Sequence, residues 1–237
     1  MKFDIMKSED KQGGIHLELR EFFGDVWGNL SKKEQTLFSE TARLVSYERG
    51  FVLKSSTDQC EALYAVTNGI LRVYMISEEG REVTLYQLEK GDFCLFSASC
   101  ILSRIPFPLL VEAQTPVTLY RIPAQVYQSV LQTNIAVSNF TSGIMSSRLS
   151  EVLWLVDQIL FKRMDSRIAA FLCSQSKLYH TDTLALTHEQ IAAHLGTARE
   201  VVSRMLKYLQ TEQVITLSRK EIRLTNKQAL SLLAGDA

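Results

Sequence analysis

The first regular pattern along the chain is a series of short apolar runs set between glycines. From about residue 40 to 123 glycines stand at Gly50, Gly69, Gly80 and Gly91, the last three spaced by eleven. Between them lie "GFVL", "ALYAV", "ILRVYMI", "EVTLYQL" and "PVTLYRI", all short and rich in β-branched and aromatic residues. Runs of this kind at roughly ten-residue intervals predict an antiparallel roll or sandwich. "SEEGR", between "LRVYMI" and "EVTLYQL", supplies a hairpin connection with a glycine available for positive φ.

From Ala124 to Leu160 the period changes. Met145, Leu149, Val152, Val156 and Ile159 recur at steps of 4, 3, 4 and 3 with polar residues between them. That is the stripe of a long helix with a coiled-coil-like seam. Ile144, Leu153, Leu155 and Leu160 broaden the apolar face. Two stripes on one helix need two surfaces to bury against, and the predicted sheet supplies only one. A second copy of the chain supplies the other, so a homodimer is expected.

The last segment switches again. "DSRIAAFLCSQSK" reads as an amphipathic helix with Ile168, Phe171 and Leu172 on one side. "LTHEQIAAHLGTAREVVSRMLKYLQTEQ" holds two more helices around Gly196, and "VITLSRKEIRLTN" is a small hairpin with a basic turn. The predicted fold is therefore α+β: an N-terminal segment and antiparallel β-roll over 1–124, a long dimerisation helix over 125–161, and a C-terminal winged helix–turn–helix over 162–237.

Within the helix pair, Thr187 is placed to cap the first helix, and Gln190 three residues on completes a capping-box spacing. Gly196 supplies the tight turn. Val201, Val202, Met205, Leu206 and Leu209 form the predicted buried side of the second helix, leaving Arg199, Glu200, Ser203, Arg204 and Lys207 opposite. That exposed set suits base reading: arginine donates two parallel hydrogen bonds to guanine, glutamate accepts from cytosine, and serine adapts to either. The plain alternative is a solvated face carrying a Glu200–Arg204 pair, worth only tenths of a kcal/mol.

Composition narrows this little. The 237 residues carry 26 Lys+Arg against 26 Asp+Glu, but from Arg163 onward there are ten against seven, a mild basic surplus. Non-specific affinity for nucleic acid comes from such local surplus. The N-terminus has no apolar core of a secretory signal, and the longest apolar run, "VLWLVDQILF", is short for a membrane span and broken by Asp157. With four scattered cysteines (Cys60, Cys94, Cys100, Cys173), this predicts a cytoplasmic protein with reduced thiols and no membrane partner.

"LTHEQIAAHLGTAREVVSRMLKYLQTEQVI" resembles the winged helix–turn–helix of the Crp/Fnr superfamily of bacterial transcription regulators. "TNGILRVYMISEEGREVTLYQLEKGDF" resembles the cyclic-nucleotide-binding-type β-roll of the same superfamily. The resemblance spans about residues 25 to 225. It implies a homodimer, an effector-sensing roll, binding to a double-stranded DNA operator and contact with RNA polymerase. By position, Arg199, Glu200 and Arg204 match the "RE…R" pattern of the cyclic-AMP type, and Glu200, Ser203 and Arg204 the "E..SR" pattern of the Fnr type. The implied half-site is TGTGA-like or TTGAT-like, with the GA step shared. Thr187 and Lys207 join the DNA-facing set, and Lys220, in the wing turn, is expected to meet phosphate.

The same resemblance argues against cyclic AMP. Relatives that bind it carry a glutamate for the ribose hydroxyl shortly after "GDF" and an Arg-Ser pair for the phosphate. Here Phe96 stands at the first position and Phe107 and Pro108 near the second, with Arg104 out of register. A buried cyclic phosphate without an arginine is left unpaired. An Fnr-type iron–sulfur cluster needs cysteines near the N-terminus, and residues 1 to 59 contain none. Haem bound through Cys94 stays open, although Phe96 replaces the histidine that follows in haem-containing members. A Cys94/Cys100 thiol switch is also open. The expected reading makes Cys94, Phe96, Ser97, Cys100 and Phe107 parts of an apolar pocket wall for an unknown small-molecule effector. A cupin-type metalloenzyme is excluded by the lack of any histidine in the predicted roll, and no P-loop or Gly-rich dinucleotide motif occurs. The remaining rival is a ligand-binding module without DNA binding.

Overall fold

The structure, a computed structural model, describes residues 19–54, 62–95, 109–219 and 221–235. The N-terminal body contains β1 (Arg43–Tyr47), β2 (Val52–Lys54), β3 (Ala62–Asn68), β4 (Leu71–Ile76), β5 (Glu82–Leu88), β6 (Phe93–Cys94), β7 (Leu109–Ala113) and β8 (Val117–Pro123). They form two four-stranded antiparallel sheets in the orders β1-β8-β3-β6 and β2-β7-β4-β5. The strand "ALYAV" is apolar at every position because β3 is covered on both faces. Ala62, Tyr64 and Val66 pack between the sheets with Val73, Val111 and Leu119. Leu63 and Ala65 pack outward against helices.

Those helices are α1 (Asp25–Gly28), α2 (Lys32–Thr41) and α3 (Ala124–Thr133). Phe23 stacks on Phe38 with ring centroids 5.2 Å apart, and Trp27, Tyr127 and Val137 complete the layer. Gly69, in the β3–β4 turn, has φ +87°, and a Cβ there would lie 2.3 Å from the Pro116 carbonyl oxygen. Only glycine fits that turn.

The single helix expected over 125–161 is two. Asn134 ends α3 in an extended conformation, and its side chain accepts from the N–H groups of Ala136 and Val137 to start α4 (Ile135–Phe161). A local N-cap therefore wins over an otherwise continuous apolar period. α4 is fixed to the roll by Arg148, whose guanidinium donates to Asp92 at 2.6 Å and to Glu151 at 2.7 Å.

The stripe expected as a seam divides along α4. Met145 and Val152 are half-buried against the chain's own two roll cores. Leu149, Val156 and Ile159 are exposed, together with Leu153 and Leu160. The exposed apolar line thus runs Leu149, Leu153, Val156, Leu160, with the heptad steps 4, 3, 4 kept but rotated away from the roll.

The C-terminal domain comprises α5 (Met164–Leu178), β9 (Thr183–Leu184), α6 (His188–Leu195), α7 (Arg199–Thr211), β10 (Ile215–Ser218), β11 (Glu221–Leu224) and α8 (Lys227–Ala234). Its sheet has three strands in the order β10-β11-β9 rather than two. α8 packs on the core formed by Ile168, Leu172, Ile191, Leu206 and Leu209. No described helix is long and apolar enough to cross a membrane.

Candidate nucleic-acid interface and its contact with the roll

α6 begins as its sequence demands. Thr187 Oγ1 accepts from the Gln190 N–H at 3.2 Å, and the Thr187 N–H donates to Gln190 Oε1 at 2.9 Å. The Thr187 hydroxyl oxygen thus serves as acceptor in the cap. Gly196 ends the helix in the left-handed region at φ +65°, and α7 begins three residues later.

α7 is strongly two-sided. Val202, Leu206 and Leu209 are fully buried, whereas Arg199, Glu200, Arg204 and Lys207 are exposed on the face opposite. Their side chains form no ion pair with one another or with any other described residue. The intrahelical Glu200–Arg204 pair is absent, so both groups present unused hydrogen-bonding capacity. Ser203 differs from the expectation of an open hydroxyl: it is half-buried, and its Oγ lies 2.7 Å from His188 Nδ1. His188 is a residue that the sequence reading missed, and its spacing of fifteen from Ser203 offers no signal before the two helices are brought together.

Between the start of α7 and the wing lies a hollow of about 430 Å³, lined by His188, Glu189, Arg199, Ser218 and Glu221 among others. Arg219 and Arg223 are exposed on the wing strands and their turn. Lys220 lies outside the described residues, as do Phe96, Ser97, Cys100, Phe107 and Pro108. Cys94 is buried in β6 opposite Tyr64 and faces the space between the sheets. No group of three or more potential metal ligands occurs among the described residues.

The helix–turn–helix also touches the roll. His194 is buried, with Nδ1 2.8 Å from Thr84 Oγ1 in β5 and Nε2 2.9 Å from Gln114 Nε2. With this amide orientation, Nε2 accepts from Gln114, and the neutral ring's one proton sits on Nδ1 and is donated to Thr84. Burial, and then the nearby Arg72 charge, lower the His194 pKa to about 3. Arg72 donates to Thr84 Oγ1 at 2.7 Å, to Glu82 at 2.7 Å and across the domain boundary to the Ala193 carbonyl at 3.1 Å. Gln175 of α5 donates to Gln87 at 2.7 Å, and Gln87 donates to Gln114. A polar network thus joins the two domains, and Gly196 packs against Val83.

A β-roll joined through a long helix to a winged helix–turn–helix with an open cationic recognition face defines a DNA-binding transcription regulator. The comparisons with known proteins agree over both domains: residues 44–134 match the cyclic nucleotide-binding domain and residues 166–233 the Crp-like helix-turn-helix domain. A structure from Eubacterium rectale ATCC 33656, described as that of a Crp/Fnr-family transcriptional regulator, is 38% identical. It superposes with a TM-score of 0.85 over 90% of this chain and 99% of that one. The global nitrogen regulator of Synechococcus elongatus is 26% identical over 80% of this chain and 88% of its own length. The cAMP-activated global regulator CRP of Pasteurella multocida is 25% identical over 78% of this chain and 91% of its own. The chain belongs to the Crp/Fnr family.

Proposed function

We propose that this chain works as a homodimer on a two-fold DNA operator, with Glu200 and Arg204 reading the G·C pair of a shared GA step. Lys207 and the wing lysine Lys220 meet phosphate, and Arg199 decides between a TGTGA-like and a TTGAT-like half-site. The observation that carries the reading is the unpaired exposed face of α7, where two arginines, a glutamate and a lysine lie between Arg199 and Lys207. The engagement of Ser203 by His188 favours the register that uses Arg199. Support for self-association comes from the exposed line Leu149, Leu153, Val156, Leu160, an apolar seam left uncovered in one chain. RNA polymerase is the further partner that the family suggests.

The effector is not a cyclic nucleotide, although one relative is named for cAMP, because along the sequence Phe96 replaces the ribose-binding glutamate of the cyclic-AMP type and Phe107 and Pro108 fall near its phosphate-binding pair. Selection of bound sequences from a random DNA pool tests the reading directly. Enrichment of paired half-sites about one helical turn apart, near 34 Å, supports it; recovery of no sequence preference rejects it.

A further inference from the structure

Between β5, α4 and the helices α5 and α6 lies a cavity of about 470 Å³ with walls from both domains. Tyr86 and Leu85 come from the roll, Trp154 and Leu155 from α4, and Phe171 from α5. Two polar atoms in this lining lack any hydrogen-bond partner: Arg167 Nε and Gln158 Oε1. Their residues are only 8% and 5% exposed. Arg167 Nη2 donates to the Leu195 carbonyl at 2.7 Å, which fixes the guanidinium at the cavity wall. No described carboxylate pairs with it. Glu151, which also lines the cavity, is taken by Arg148 at 2.7 Å.

We propose that this cavity binds a small amphipathic monocarboxylate that carries one N–H or O–H donor. A buried guanidinium without a counter-charge is costly, and a carboxylate satisfies its planar donors better than any neutral group. Gln158 Oε1 calls for a donor on the same molecule. The aromatic and aliphatic walls call for an apolar body, and the volume lies in the range of small-molecule sites. The Glu151 carboxylate disfavours a dianion such as a phosphate monoester. Burial lowers the Arg167 pKa with no opposing charge, in keeping with a cation that lacks its anion.

A second copy of the chain does not fill this space. Ser147, Glu151, Trp154 and Gln158 line the cavity at steps of 4, 3 and 4 along α4. At 3.6 residues per turn they lie across the helix from Leu149, Leu153, Val156 and Leu160. A molecule held between Tyr86 and Phe171 touches both domains and stabilises the arrangement in which they meet. This inference does not rest on the operator reading, and its test uses no DNA.

The full-length protein is titrated by calorimetry with indole-3-acetate, indole-3-propionate and 3-hydroxybenzoate. Naphthalene-1-acetate, which lacks the donor, and indole-3-acetamide, which lacks the charge, serve as controls. At least one of the three acids is expected to bind one per chain at sub-millimolar concentration. Each control should bind about tenfold more weakly than indole-3-acetate, the size of one lost buried hydrogen bond. Arg167→Gln should weaken binding by about tenfold or more. Ser147→Phe, which adds a ring to the lining contributed by α4, should weaken binding while leaving the circular dichroism unchanged. The proposal is overturned if none of the acids binds below 1 mM, if the controls bind as well as the acids, or if Ser147→Phe binds like the parent protein.

Discussion

His194, in the first helix of the helix–turn–helix, donates from Nδ1 to Thr84 Oγ1 of the roll across 2.8 Å. The imidazole is neutral in this contact and acquires a proton readily only when the contact opens. Its pKa is about 3 when buried and 6.5 when free. A base whose folded pKa is lowered contributes stability that is complete above the free value and lost as pH falls toward the buried one. The domain contact should therefore be insensitive between pH 7 and 8 and weaken progressively below about pH 6.5. Distance measurements between dyes on the two domains at pH 7.5 and 5.0 should show the opening. His194→Gln, which cannot titrate, should remove the pH dependence.

Arg204→Ala should cost about 1–3 kcal/mol of operator binding and relax the preference at the GA step. Loss of Lys220 should weaken all sequences alike and reduce the slope of affinity against salt by about one ion. An unchanged GA preference in Arg204→Ala would refute the assigned contact.

Leu153→Lys with Leu160→Lys sets like charges along the exposed face of α4 without disturbing the roll, since both side chains are exposed in the single chain. Light scattering should report monomers and operator affinity should collapse, with the melting of each domain preserved. A persisting dimer would place the seam elsewhere.

Gly196→Ala meets two obstacles. The residue has φ +65°, and its new Cβ would lie 3.3 Å from Val83 Cβ. The backbone cost alone is about 1 kcal/mol. Val83→Ala removes the Cγ2 contact at 3.4 Å but keeps the Cβ, so the double variant should recover only part of the steric cost and none of the backbone cost, which thermal melts of the single and double variants check.

The roll, the helix pair and the buried and exposed sides of α7 were legible because each rests on local periodicity or on a capping rule. Thr187 and Gln190 form the capping box that their spacing announces. The capping box of Ser31 and Glu34 in α2, and the pairing of Asn226 as N-cap with Gly235 as C-cap in α8, carried the same signals and went unused. The break at Asn134 was hidden because the apolar period runs across it. The partition of the α4 stripe was not legible, since Met145 and Val152 differ from Leu149 and Leu153 only in which neighbour lies nearby. Nor was the network of Arg72, Thr84, Gln87, Gln114, Gln175 and His194, in which Arg72 reaches the Ala193 carbonyl 121 residues away. Polar residues on predicted strands and helices read as solvated until a second domain covers them.

The make-up of that network has a practical consequence. Apart from the Arg72 guanidinium, its members across the boundary are amides, a hydroxyl, a carbonyl and an uncharged imidazole. Added salt screens charges and leaves bonds between neutral groups nearly untouched. The exposed face of α7 proposed to meet DNA is the reverse, made of full charges open to solvent. Ionic strength therefore acts as a selective knob, loosening the grip on DNA while the two domains stay docked, whereas mild acid loosens the docking and leaves the arginines charged.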